Sequence, residues 1–415
     1  MKKVYIGIIG LGNIGSAVAE NIRKHRDTIL ENSGLDLQVK KVCDLKPKKT
    51  TFAFTRDPYA IINDPEISIV VEATGQVNPA LKYILAAIRQ GKQVVTPNKE
   101  LMAKHMDEIL TAARENEVEV RFEGAVGGGI PIIQALRESL AANNLSEIYG
   151  IVNGTTNYIL TRMAEEKMEL AEALARAKKM GYAEPNASAD VKGSDASYKA
   201  AILAAVAFNA KVNWRQVFCE GITNITREDI QYASEIGYAI KLLAITKRVG
   251  KEIEIRVHPA LVPKAHPLAS VSENFNAIYV KGEPVGELMF YGQGAGGGPT
   301  ASAIISDILQ IADSNFKPQT SKPRNYKIRG MGEIESRYYI RLQAPDKFGV
   351  LAGIAQAFAQ KKVSIAGVIQ KETVGKLATI IILLHNARER DVRAALKVVK
   401  KLPVVEKISN VIRIV

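Results

Sequence analysis

The sequence predicts an α/β protein in three parts. These are a doubly wound, parallel-sheet domain at the N-terminus, an α+β domain on a mixed sheet in the middle, and a small βαββαβ domain at the C-terminus. Three observations carry this reading. Strand-like and helix-like runs alternate between residues 4 and 122. A glycine-rich turn, Gly10-Leu11-Gly12-Asn13-Ile14-Gly15, stands between the first strand and the first helix. A Pro- and Lys-rich stretch without apolar periodicity, 315–325, sets a compact tail apart from the rest.

The run Val4-Tyr5-Ile6-Gly7-Ile8-Ile9 reads as a buried strand and 16–24 as a helix. A polar stretch leads to a second strand at 37–43. Strand 67–72, helix 79–90 closed by Gly91, strand 93–96, a helix capped by Asn98 and running to Glu115, and strand 118–122 follow. Alternation at this spacing implies a parallel sheet with helices on both faces. From Pro131 the pattern changes. Helices are expected at 132–142, 170–180, 195–208 and 235–249, interleaved with strands at 146–152, 253–262, 277–281 and 285–291. A further helix at 301–312 is expected to return to the first domain. The tail reads as strands at 336–343, 363–370, 376–385 and 407–414 with helices at 349–361 and 389–401. The expected boundaries are 1–131, 132–314, a linker at 315–335, and 336–415.

Composition narrows the class. The chain has 415 residues, 47% hydrophobic and 24% charged, which is ordinary for a multidomain globular enzyme. No apolar run reaches membrane-spanning length, and the N-terminus enters a strand at once, so neither a span nor a signal peptide is expected. Cys43 and Cys219 are the only cysteines, which excludes a disulfide framework and points to the cytoplasm. The net charge is +13, and the stretch 337–415 holds 15 Lys/Arg against 5 Asp/Glu. No aromatic stripe accompanies these charges, so they read as a solvated surface that attracts anionic small molecules, not as a nucleic-acid site.

The glycine turn is G-x-G-x-x-G in the right context, after a strand and opening a helix. Gly10 permits the tight turn, Gly12 lets backbone approach a pyrophosphate, and Gly15 allows close helix–strand packing, while the helix start at Asn13 and Ile14 supplies amide donors. A dinucleotide site is expected here, with a nicotinamide cofactor as the redox partner. Asp44 ends the second strand, where a carboxylate accepts from the ribose hydroxyls of NAD. Lys46, Lys48 and Lys49 follow at once, in position for the 2′-phosphate of NADP. Both cofactors stay open on this reading. Thr74 and Gly75 end one strand and Lys99 starts the helix after the next, at the carboxyl edge where open α/β sheets bind ligands.

Asp195 and Lys199 lie four apart on one helical face, among Ala196, Ala200, Ala201, Ile202 and Leu203. A partly desolvated lysine beside a hydride donor delivers a proton to a carbonyl oxygen as hydride arrives. Glu184, on the preceding loop, suits a substrate ammonium group. Rival readings are another NAD(P)-dependent amino-acid or aldehyde dehydrogenase, and a non-catalytic nucleotide or amino-acid sensor. A dehydrogenase that forms an acyl phosphate needs a nucleophilic thiol, and neither cysteine is placed for one.

Together these motifs resemble homoserine dehydrogenase, which interconverts L-aspartate 4-semialdehyde and L-homoserine in threonine, methionine and isoleucine biosynthesis. The matching runs are 10–15, 72–75, 96–99, 122–131, Asn153-Gly154-Thr155-Thr156-Asn157-Tyr158-Ile159-Leu160, 181–199, 294–296 and 299–303. The resemblance implies a Rossmann-type domain followed by a catalytic and dimerisation domain. It implies Lys199 as general acid/base, Lys99 as a second active-site lysine, Glu184 and Asp195 on the amino-alcohol, and Gly181 and Gly296 beside the cofactor. It also implies a sodium or potassium ion held by Glu123 and the carbonyls of Val126, Gly128 and Ile130. Two positions depart from the family pattern: Asn186-Ala187 stands where Asp-Pro is usual, and Cys43 where many relatives carry arginine. The tail resembles an ACT regulatory domain, whose loop Pro345-Asp346-Lys347-Phe348-Gly349-Val350-Leu351 would bind an amino acid, typically threonine, through Asp346, Gly349 and Val350. Such domains pair across two-folds, so a homo-oligomer, dimer or tetramer, is expected.

Overall fold

The computed structural model describes residues 2–313, 322–374 and 377–415, so the stretch 315–321 of the expected linker lies outside the described residues. The chain forms two compact units. The first comprises Met1–Ile148, Tyr198–Trp214 and Phe275–Tyr326; the second comprises Tyr149–Ser197, Arg215–Asn274 and Lys327–Val415.

The first unit is built on six parallel strands: β1 (Lys2–Ile9), β2 (Leu35–Cys43), β3 (Phe54–Thr55), β4 (Ile69–Glu72), β5 (Gln93–Val95) and β6 (Val120–Arg121). Their order is β3-β2-β1-β4-β5-β6, a doubly wound sheet whose order reverses between β1 and β4. Ile6 and Ile8 of β1 are fully buried with Val18, Ala19 and Ile22 of the helix Asn13–Lys24. Each of these isoleucine and valine side chains stabilises the fold by roughly 1.5–3 kcal/mol. The helix Gly297–Ala312 adds Ala301, Ile304, Ile308 and Ala312 to this same core.

The remaining strands are β7 (Asn144–Ile151), β8 (Phe218–Cys219), β9 (Tyr238–Val249), β10 (Glu252–Pro263), β11 (Phe275–Glu283), β12 (Gly286–Gln293), β13 (Lys327–Ile328), β14 (Glu335–Pro345), β15 (Ile365–Val374), β16 (Leu377–Arg388) and β17 (Lys407–Ile414). In the first unit β11 and β12 form an antiparallel hairpin. In the second unit the strands run β9-β10-β17-β14-β16-β15. The β9–β10 pair is antiparallel, while β8, β13 and β17 all run parallel to β10, so the sheet is mixed. The tail is β14, helix Val350–Ala359, β15, β16, helix Glu389–Val399, β17, a βαββαβ module. Tyr338, Ile340 and Leu342 alternate along β14 to face Val350, Ile354 and Phe358 of one helix and Val392, Ala395 and Val399 of the other. Its edge strand β17 continues onto β10 through Ala260↔Arg413 and Leu261↔Ile414.

Three local expectations are corrected. Residues 235–249 are not a helix: the helix is Arg227–Glu235, and Tyr238–Val249 is strand β9. β9 is buried on both faces, which removes the alternation that marks a half-exposed strand, and an unbroken apolar run does not separate helix from strand. Gly237, at φ 87°, makes the break between them. The polar stretch after the first helix holds a second helix, Arg26–Ser33, with no buried residue and therefore no apolar stripe to read. Residues 132–142 form one α-turn, Ile132–Gln134, that widens into a π-helical segment, Ala135–Ser139.

Candidate active site

The glycine turn fits a dinucleotide. Gly10 has φ 101°, and a Cβ there would lie 2.5 Å from the Ala73 carbonyl oxygen. A Cβ on Gly15 would lie 1.8 Å from the Gly10 oxygen, so the helix approaches the turn as closely as backbone permits. Gly12 is different: a Cβ would meet nothing within 4 Å. Glycine there leaves open space at the start of the helix Asn13–Lys24, where amides of Asn13, Ile14 and Gly15 have no intrahelical acceptor. Gly10 and Gly12 line a cleft of about 250 Å³ together with Asp44, Lys46, Thr74, Gln76 and Tyr83.

Asp44 braces this turn. Its Oδ2 accepts from the Leu11 amide at 2.9 Å and its Oδ1 from the Lys46 amide at 3.0 Å. Burial opposes the charge, but these amides with Lys48 and Lys46 outweigh it and hold the carboxyl below its usual range. The Lys48 ammonium donates to the Leu11 carbonyl at 2.7 Å, so this lysine is committed to the turn, whereas Lys46 is exposed at the cleft. Cys43 is buried, and burial pushes its thiol up to about 11, which leaves it no nucleophilic character.

The strand ends beyond β4 and β5 meet at Glu72. Thr74 donates through both its amide and its hydroxyl to Glu72 Oε1, at 2.7 and 2.6 Å. Thr96 Oγ1 donates to Oε2 at 2.7 Å. Gly75 has φ 73° and turns the chain toward the next helix. Lys99 begins the helix Lys99–Glu115, which Asn98 caps through its side chain onto the Leu101 amide. Beside it, Glu100 Oε1 lies 3.5 Å from the Tyr198 hydroxyl, and Lys104 sits over the rings of Tyr198 and Trp214, at 5.5 and 5.1 Å. The residues next to Lys99 and to Lys199 are therefore neighbours within the first unit.

The helix Ser194–Ala207 carries Asp195 in the second unit and Lys199 in the first, both buried, at 5% and 7% exposure. Neither is a solvated surface charge. Ala196, Ala200, Ala201, Ile202 and Leu203 of the same helix are all buried too. In the second unit Asn153 Nδ2 donates to Asp195 Oδ2 at 2.9 Å and to Asp190 Oδ1 at 2.7 Å, while Asn153 Oδ1 caps the helix Gly154–Glu165. The Gly181 turn, at φ 76°, is tied to the same helix by Thr155 Oγ1 donating to the Tyr182 carbonyl and by the Tyr158 and Tyr182 rings 4.9 Å apart. Glu184 follows on an exposed loop. Gly296, at φ 123°, caps the helix Gly297–Ala312 in the first unit.

The loop 123–130 is tightly determined. Glu123 is buried, and its two oxygens accept from the Ile133 amide at 2.8 Å and the Gln134 amide at 2.7 Å. Burial nevertheless raises its carboxyl above the ordinary value. Gly127 and Gly128 are left-handed, at φ 75° and 58°, and a Cβ on Gly128 would strike the Gly294 carbonyl carbon at 2.5 Å. The loop offers one carboxylate, backbone carbonyls and no thiol or imidazole, a composition that suits a hard cation and no thiophilic metal. Among the described residues no group of three or more His, Cys, Asp or Glu side chains is gathered for a metal. In the tail, Gly349, at φ 80°, caps the helix Val350–Ala359, Asp346 Oδ1 accepts from Gln370 Nε2 at 2.9 Å, and Phe348 is fully exposed.

Three polar residues were given no role from sequence: Glu72, Asn153 and Asp307. Glu72 was legible only as a charged residue ending an apolar strand. Asn153 had a signal, the cap pattern Asn-Gly-Thr-Thr. Asp307, fully buried on an apolar helix, accepts from the Glu123 amide at 2.8 Å.

Comparison with known proteins agrees with this arrangement. Family models match in order: homoserine dehydrogenase, NAD-binding domain, over residues 10–123; homoserine dehydrogenase over 131–309; and ACT domain over 338–404. A homoserine dehydrogenase of Neisseria gonorrhoeae is 41% identical, covering 100% of this chain and 99% of that protein. The crystal structure of a homoserine dehydrogenase from Thiobacillus denitrificans superposes with a TM-score of 0.95 at 38% identity, over 100% of this chain and 99% of that one. A hyperthermophilic archaeal homoserine dehydrogenase in complex with NADPH matches with a TM-score of 0.65 at 28% identity, over 76% of this chain and 100% of that one. A Rossmann-type nucleotide domain, buried charged residues on one helix, and a terminal βαββαβ module thus converge, and the chain belongs to the homoserine dehydrogenase family with a C-terminal ACT domain.

Proposed function

We propose that Lys199 is the general acid/base of the homoserine dehydrogenase reaction, with Lys99 the second active-site lysine and Glu184 and Asp195 holding the amino-alcohol. The nicotinamide, when bound, supplies or accepts the hydride. In the reductive direction Lys199 gives a proton to the aldehyde oxygen of L-aspartate 4-semialdehyde as the carbonyl carbon is reduced, and it takes that proton back from L-homoserine in the reverse. The observation that carries this is the burial of Lys199, on the apolar helix that also carries Asp195. Desolvation lowers the cost of deprotonating an ammonium, as proton transfer near neutral pH requires. Asn153 orients Asp195. Lys199→Ala is expected to cut kcat with L-homoserine by about 10²–10⁴-fold while nicotinamide binding, followed by fluorescence, persists. A loss below about tenfold assigns the proton to another group.

Either NAD or NADP serves as cofactor in this reading, and the loop of Glu123, Val126, Gly128 and Ile130 holds sodium or potassium. L-Threonine is the proposed effector of the ACT domain, received by the amides at the start of the helix Val350–Ala359 and by Asp346. The protein acts as a homo-oligomer in the cytoplasm; no helix among the described residues is long and apolar enough to cross a membrane. Steady-state kinetics with both cofactors, with and without threonine and with sodium replaced by a bulky organic cation, tests these assignments. Turnover indifferent to threonine removes the effector, and turnover indifferent to the cation removes the metal.

A further inference from the structure

We propose that Glu72 is a positioning residue whose buried carboxylate fixes the start of the helix that begins at Lys99; this rests on the reading of Lys99 as an active-site lysine. Glu72 ends β4 with no solvent exposure, between strands whose neighbouring side chains, Val71 and Val95, are apolar and fully buried. An apolar residue would fill that place without desolvating a carboxylate. What the carboxylate adds is connection. Oε1 takes both the amide and the hydroxyl of Thr74, and Oε2 takes the hydroxyl of Thr96. Thr96 Oγ1 in turn accepts from the Asn98 amide at 3.1 Å. Asn98 Oδ1 accepts from Leu101 N at 3.1 Å, and Asn98 Nδ2 donates to the Gln76 carbonyl at 3.0 Å, back on the loop that Thr74 belongs to. The chain Glu72–Thr96–Asn98 therefore closes on itself across two strand ends and clamps the first turn of the Lys99 helix. Burial raises the Glu72 carboxyl, and its three donors oppose that shift.

The test uses the full-length protein and two substitutions. Thr96→Val removes the hydroxyl that links Glu72 to Asn98 and leaves Glu72 on Thr74. Glu72→Leu removes both links. The primary readout is the pH dependence of Lys99 acylation, measured by mass spectrometry with all other lysines as internal references, alongside kcat and KM. Both variants are expected to move the Lys99 labelling midpoint by about half a pH unit or more and to lower kcat about 10- to 100-fold; Thr96→Val, which leaves Thr74 in place, keeps the cofactor KM within about twofold. Thr96→Ser, which keeps the hydroxyl, restores the labelling midpoint. If Glu72→Leu does not fold, Thr96→Val alone decides. An unchanged Lys99 midpoint in Thr96→Val overturns the proposal, as does a change shared equally by every lysine, which marks a merely structural role. A shifted midpoint with unchanged kcat sustains the positioning by Glu72 and removes Lys99 from catalysis.

Discussion

Lys46 and Lys48 are two residues apart on the loop after β2, and the structure gives them different work. Lys48 is bonded to the Leu11 carbonyl and lies 3.9 Å from Asp44, so it props the glycine turn whichever cofactor binds. Lys46 lies exposed at the cleft, and its side chain acts on Asp44 through charge alone. Lys46→Ala is therefore expected to raise the KM for NADP while sparing that for NAD, and Lys48→Ala to raise both. The selective loss should reach about tenfold, the worth of one charge-assisted hydrogen bond to a phosphate. Equal effects of Lys46→Ala on the two cofactors, measured under the same salt, would dismiss a phosphate contact. From sequence alone the two lysines were interchangeable, because their division of labour depends on which carbonyl the chain turns toward them. The places of Lys99 at a helix start and of Asp195 and Lys199 on one helix were legible at this scale, marked by a strand end and by helical spacing among alanines. Glu72 and Asp307 were not, since a buried acid leaves no periodicity and declares itself only through the donors around it.

At the scale of elements, the glycine turn separates two uses of one residue type. Gly15 lacks a side chain because the helix touches the turn, whereas Gly12 has room for one and a backbone at φ −69° that alanine adopts. Gly12→Ala is expected to leave the protein as stable or to stabilise it by about 0.4–1 kcal/mol through the unfolded chain, yet to abolish dinucleotide binding by placing a methyl where the pyrophosphate approaches. Gly15→Ala is expected to destabilise by more than about 1 kcal/mol. Melting temperature and nicotinamide fluorescence, measured on both, distinguish the two. A second junction lies in the other unit. The helix Arg227–Glu235 has a capping box, with Thr226 and Asp229 each bonding the other's amide. Asp229 also receives Arg341 Nε of β14 at 2.7 Å and Asn410 Nδ2 of β17 at 2.8 Å. Both members of the ion pair are buried, Asp229 at 0% and Arg341 at 3% exposure. Asp229→Ala is expected to cost about 3–5 kcal/mol in urea unfolding, and the paired replacement Asp229→Leu with Arg341→Met to recover most of it. A single-variant cost under about 1 kcal/mol would show the pair to be solvated. Elements with one exposed face, such as the helices Val77–Arg89 and Glu389–Val399, were legible to within a few residues. β9 and the helix Arg26–Ser33 were not, the first buried on both sides and the second on neither.

The ACT module is joined to the rest of its unit by strand pairing and by buried charge, and this sets how the protein responds to acid. β17 continues the sheet from β10, and Arg413 at that junction bonds Glu389 of the terminal helix and Glu220. Against these charges lies His258 of β10, fully buried. Its Nε2 accepts from Arg256 Nε at 3.2 Å and its Nδ1 lies 2.9 Å from the Pro259 carbonyl, an arrangement that calls for the neutral ring protonated at Nδ1. Burial, with Arg413 and Arg256, holds its pKa well below 6.5. The sign follows. Between the folded and unfolded values the unfolded chain binds the proton and the folded chain does not, so stability falls as pH drops below about 6.5, by up to about 1.4 kcal/mol per pH unit. Glu72, Glu123 and Asp307 act the other way, because burial raises their carboxyls and the folded state gains a proton first as pH falls toward their unfolded values. The wild-type pH profile therefore mixes opposed slopes, and the contribution of His258 is read as a difference. The unfolding free energy of the wild type relative to His258→Gln should decline by about 1 kcal/mol between pH 6.5 and 5.5, measured by urea unfolding at matched ionic strength. A difference that stays constant over that interval would mean the imidazole is already protonated in the fold, and the buried arginines would then need acidic partners closer to His258 than Glu389 and Glu220.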